Sequence, residues 1–103
     1  MEWGTNPERS ILVVEDSRTQ AEYLAHILRK NNYPCRIADN ARTALDLIAG
    51  EKPAMILTDI VMPDIDGYEL CRRIRQNPAT ADIPVVMVTQ LFDPADVLKG
   101  LEA

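Results

Sequence analysis

Short uninterrupted apolar runs alternate with helical stripes along this sequence, and that alternation leaves few folds open. The runs ILVV at 11–14, MIL at 55–57 and VVMV at 85–88 offer no polar position to face water. Such segments suit strands covered on both faces. CRIA at 35–38 alternates instead and predicts a strand near an edge. Between the runs, Ala21, Leu24, Ala25 and Leu28 keep the i, i+3, i+4, i+7 spacing of one buried helical stripe, as do Ala41, Ala44, Leu45 and Ile48. Leu70 and Ile74 continue the pattern within 67–76, and Leu98 with Leu101 closes it.

Helix starts are marked as well. Ser17 with Gln20 reads as a capping box, Asn40 as an N-cap, and Asp93-Pro94-Ala95-Asp96 combines a cap, a proline at N1 and an acid at N3. Pro34, Pro53 and Pro84 stand where strands begin, after each preceding helix has stopped. The expected order is four β-α units. Strand alternating with helix implies a parallel sheet with helices on both faces, joined by right-handed crossovers. The fold class predicted is therefore doubly wound α/β.

Composition narrows what such a domain does. At 103 residues the chain predicts one domain over 10–103, with the polar leader MEWGTNPERS contributing a tail at 1–9. A net charge of −5 argues against direct nucleic-acid binding, which calls for a basic surface. No apolar run approaches the ~20 residues of a bilayer span, and no signal peptide is recognised, so no membrane association is expected. Cys35 and Cys71 form neither a CxxC pair nor a metal spacing, which fits a reduced, cytoplasmic protein.

In doubly wound sheets, ligands bind beyond the carboxyl ends of the strands at the topological switch point. The first expected strand ends in Glu15-Asp16, the third in Asp59 and the fourth in Thr89. One such acid is easily a solvated turn residue or a helix cap; acids and a hydroxyl at three strand ends are much harder to credit to chance. Two carboxylates ~4 Å apart repel by about 4 kcal/mol at an effective dielectric of about 20, so a cation is needed among them. A hard divalent ion, Mg²⁺ before Ca²⁺, answers that need. One acid would then be placed to act as nucleophile toward a phosphoryl group.

The stretch TDIVMPDIDGYEL at 58–70, preceded by ILVVEDS and followed by VVMVTQ, closely resembles the receiver domain of two-component response regulators. The resemblance runs over 10–103. It implies the flavodoxin-like, CheY-like sheet with strand order 2-1-3-4, and Asp59 as the phosphoacceptor. It further implies Glu15, Asp16 and the backbone carbonyl of Val61 as Mg²⁺ ligands beside Asp59, and Thr89 as the switch hydroxyl. Met62-Pro63 and Gly67 then shape the loop, glycine permitting either close approach or positive φ. The partner implied is a sensor histidine kinase or phosphotransfer protein.

The sequence departs from the family in two places. Receivers carry a fifth strand ending in a lysine, whereas this sequence reads as truncated before that strand. Its only lysines are Lys30, Lys52 and Lys99. Gln90 stands where the family has a small residue. An alternative reading is therefore a phosphorylation-impaired interaction module. The fourth strand, left as an edge, is expected to pair with its copy in a homodimer. A phosphatase of the haloacid-dehalogenase type fits poorly, because it needs an acid two residues after Asp59, where Val61 stands.

Other residues carry less. His26 lies off the buried stripe and reads as solvated. Asp64-x-Asp66-Gly67 resembles an EF-hand loop only in its middle, since the first and twelfth positions would be Met62 and Arg73. Arg18, Arg72, Arg73 and Arg75 read as solvated charge, and Cys71 and Met87 as core filler.

Overall fold

The computed structural model describes residues 9–88. The expected fourth helix, Thr89, Gln90, Lys99 and the leader up to residue 8 lie outside the described residues. Within them the order is β1 (Ile11–Val14), α1 (Arg18–Lys30), β2 (Cys35–Ala38), α2 (Ala41–Gly50), β3 (Met55–Asp59), α3 (Gly67–Gln76) and β4 (Val85–Val88). The strands form one parallel sheet in the order β2-β1-β3-β4. The doubly wound expectation holds, with CRIA at one edge.

Strand alternation distributes the apolar residues between two cores. Leu12, Val14 and Ile56 pack with Ala41, Ala44 and Ile48 of α2 and Leu70 and Ile74 of α3. Ile11, Val13 and Leu57 pack with Leu24, Ala25 and Leu28 of α1. α1 thus covers one face of the sheet and α2 with α3 the other. Truncating any of these leucines to Ala would cost about 2–5 kcal/mol.

Caps set the helix boundaries. Asn40 accepts from the Thr43 N–H at 2.8 Å. Asp66, one of the two acids of the EF-hand-like stretch, caps α3 by accepting from the Glu69 N–H at 2.8 Å. At the far end of α1, Tyr33 N–H donates to the Leu28 carbonyl at 2.9 Å and Asn32 N–H to the Arg29 carbonyl at 3.1 Å. With Asn32 at φ 71° this is a Schellman turn, and buried Tyr33 packs back onto Leu28. Arg9 lies over the Tyr33 ring at 4.1 Å and donates to the Asn32 carbonyl at 3.2 Å, neutralising the negative end of α1.

The basic residues of α3 divide in a way that the sequence reading did not anticipate. Arg72 and Arg73 are exposed and both pair with Glu69, at 2.5 and 2.9 Å. Arg75 is no idle surface charge. Its Nη1 donates to the carbonyls of Ala81 at 3.0 Å and Ile83 at 2.7 Å, holding the α3–β4 connection against the helix. Both cysteines are free, and burial pushes the Cys35 thiol up to about 11.

Candidate functional site

Parallel pairing of β1 with β3 in the register Val14↔Thr58 brings the residues just after Val14 level with Asp59. β1 is also where the chain reverses its winding, since β2 lies on one side of it and β3 on the other. The carboxyl ends of β1 and β3 therefore flank the switch-point crevice. Glu15, Asp16 and Asp59 meet there, their nearest carboxylate oxygens all within 4.8 Å of one another.

Burial makes this cluster costly. Asp59 is 2% exposed and Glu15 5%, while Asp16 faces solvent. Asp59 Oδ1 accepts the Ile60 N–H at 2.8 Å, but Oδ2 is buried with no hydrogen bond at all. Glu15 Oε2 accepts the Ser17 N–H at 2.9 Å. Burial pushes the Glu15 carboxyl up to about 7, against the pull of that hydrogen bond and with help from the negative charges of Asp59 and Asp16. Three clustered carboxylates and an orphaned acceptor fit a hard divalent cation with oxygen ligands.

The capping box predicted for α1 is only half made. Ser17 Oγ accepts the Gln20 N–H at 3.4 Å, yet Gln20 Oε1 is buried without a partner. Glu15 has taken the Ser17 N–H that Gln20 would accept, because a nearby carboxylate is a stronger acceptor than an amide oxygen.

The loop after Asp59 is shaped from below by α3. Gly67 N–H donates to the Ile60 carbonyl at 2.8 Å. A Cβ on Gly67 would run into the Asp59 carbonyl oxygen, so of the two reasons for a glycine it is close approach that operates. Met62 and Ile65 are buried under the loop. Ile65 N–H donates to the Pro63 carbonyl at 2.9 Å across Asp64 at φ 72°, a tight γ-type turn. Thr58 Oγ1, fully buried, donates to the Asp59 carbonyl at 3.0 Å.

Of the remaining expected site residues, Val61 lies in the loop after β3 and is 72% exposed. Thr89 lies outside the described residues. Arg18 is exposed and lines a cleft of about 400 Å³ with Glu15, Asp16, Ile37, Asp39 and Thr43. Asp39 is a strand-end acid that the sequence reading passed over, although it directly follows the CRIA run. Lys52 pairs with Asp82 at 2.9 Å and Lys30 sits in the last turn of α1, both remote from the carboxylates.

Among the described residues, a four-stranded parallel sheet with an acidic crevice at its switch point is the architecture of a doubly wound, ligand-binding α/β domain. The profile of the response regulator receiver domain matches residues 11–103, and the chain belongs to that family. It is 38% identical over 93 residues to the response regulator MprA of Mycolicibacterium vanbaalenii, covering 90% of this chain and 39% of that protein. Among solved structures it is similar to the signal receiver domain of a signal transduction histidine kinase from Syntrophus aciditrophicus. That match has 44% identity and a TM-score of 0.75, over 90% of this chain and 70% of the other. The N-terminal domain of a response regulator receiver protein from Methanoculleus marisnigri matches at 32% identity and TM-score 0.76, over 87% and 74% of the two chains. The chain thus spans well under half the length of the MprA relative. No helix among the described residues is long and apolar enough to cross a membrane.

Proposed function

We propose that Asp59 accepts a phosphoryl group from the phosphohistidine of a sensor kinase or phosphotransfer protein, with Mg²⁺ held by Glu15, Asp16, Asp59 and the Val61 carbonyl. The observation that carries this reading is the buried Asp59 carboxylate, one oxygen unpartnered, among carboxylates at the switch point. The domain unit is 10–103, and its setting is cytoplasmic.

An Asp59 oxygen forms the new O–P bond as the N–P bond of the phosphohistidine breaks. The imidazole leaves with the electron pair and takes a proton from solvent. Mg²⁺ held by these carboxylates would neutralise charge on the phosphoryl oxygens. The Ile60 N–H holds Oδ1, and the Gly67 contact fixes the Asp59 peptide, so the carboxylate is oriented before a donor arrives. Thr89 is the hydroxyl that answers the phosphoryl group, a role drawn from the resemblance.

Incubation with acetyl phosphate and Mg²⁺, followed by intact mass, tests the assignment. One phosphoryl mass is expected, lost on chelation and in Asp59→Asn. No gain in the native chain would refute it.

Self-association through β4 is a separate proposal, supported by Val86 at 40% exposure on a strand with one strand neighbour among the described residues. Sedimentation at several concentrations tests it, and a monomer throughout would refute it.

A further inference from the structure

Among the described residues, two buried acceptor oxygens stand without a hydrogen bond: Asp59 Oδ2, which belongs to the site above, and Gln20 Oε1, which that site does not use. Gln20 is the third residue of α1, the position from which a side chain reaches back to the backbone N–H of the N-cap residue. The N-cap is Ser17, and its N–H is already donated to Glu15 Oε2 at 2.9 Å. Glu15 is also one of the three carboxylates that approach within 4.8 Å of one another. One carboxylate thus faces two claims, from the helix end and from a cation.

We infer that Gln20 is a positioning residue for the metal site. It takes over the Ser17 N–H when Glu15 turns to a divalent cation, so the capping box closes only in the loaded state. The inference rests on Glu15 being a metal ligand. Without a substitute, releasing Glu15 would strand the Ser17 N–H at the start of α1, and metal binding would bear that cost. Gln20 Oε1 is a buried acceptor in the same turn, so the exchange leaves both the donor and the orphaned oxygen satisfied. Linkage then requires that whatever removes the Gln20 acceptor weakens the metal.

The test uses the whole chain and Mg²⁺ alone, reading affinity by titration and the Ser17 amide by NMR shift and exchange protection. In the native chain Mg²⁺ should move the Ser17 amide resonance while leaving it protected, as one acceptor replaces another. Gln20→Met, similar in size but without the amide oxygen, should keep that protection in the metal-free state and lose it on loading. Its Mg²⁺ affinity should fall roughly three- to tenfold, the worth of one hydrogen bond. Gln20→Glu, which restores an acceptor, should stay protected when loaded. A native Ser17 resonance that does not move at Mg²⁺ saturation overturns the inference without needing any variant. So does Gln20→Met with native affinity and native protection, while a Mg²⁺ response at Glu15 itself keeps Glu15 as a ligand. A native chain with no Mg²⁺ response removes the metal site and this inference together.

Discussion

Gly67 packs so closely on Asp59 that a Cβ at position 67 would overlap the Asp59 carbonyl oxygen and lie 3.1 Å from the Ile60 Cα. Both obstacles are backbone, so neither swings aside as a flexible side chain would. The first residue of α3 and the last residue of β3 are thereby held as one unit. Gly67→Ala should destabilise the domain by about 1–3 kcal/mol and slow phosphorylation of Asp59 more than that loss explains. Urea unfolding together with the rate of mass gain from acetyl phosphate checks both effects. Native stability in this variant would show that the contact yields cheaply.

Asp59→Asn should abolish phosphorylation while leaving stability equal or higher. The amide keeps an oxygen for the Ile60 N–H and removes one of three neighbouring negative charges. Denaturation midpoints measured without metal decide the second half, and a clear loss of stability would contradict it.

The raised Glu15 carboxyl, at about 7 against an ordinary 4.5, gives a pH dependence of definite sign. Between those values the folded chain binds more protons than the unfolded one, so this group makes metal-free stability fall as pH rises. Mg²⁺ needs the deprotonated form, so its affinity should rise across the same window. Unfolding at pH 5 and pH 7.5, with and without Mg²⁺, reads both trends. Glu15→Gln should flatten the metal-free slope.

Arg75 and Arg72 offer a matched comparison on one helix. Arg75→Ala removes donors to two carbonyls in the α3–β4 connection and should cost about 1–2 kcal/mol. Arg72→Ala removes an exposed pair with Glu69, which keeps Arg73, and should leave stability close to native. Equal effects in chemical denaturation would reject the distinction.

Asn32 closes α1 in the left-handed region at φ 71°. Asn32→Ala should lower stability by roughly 1 kcal/mol, whereas Asn32→Gly should be neutral or stabilising. Thermal unfolding of the pair gives the answer directly.

The sheet was legible in the residues alone, because strands buried on both faces must be written as unbroken apolar runs and helices between them as stripes. So were the acids that stand at strand ends. Asp66 as the α3 cap was legible too, in the Asp66-x-x-Glu69 spacing. Tertiary structure alone decided that Glu15 lies level with Asp59, since parallel register is set by how two distant runs pack and not by either run. How the chain folds back over β3 and α3 decided that Gly67 serves close approach and not positive φ, and that Arg75 reaches two carbonyls. Local patterns name the donors and acceptors a segment carries; which of them meet depends on how turns and neighbouring strands place those segments, where burial leaves each polar group few partners to choose from.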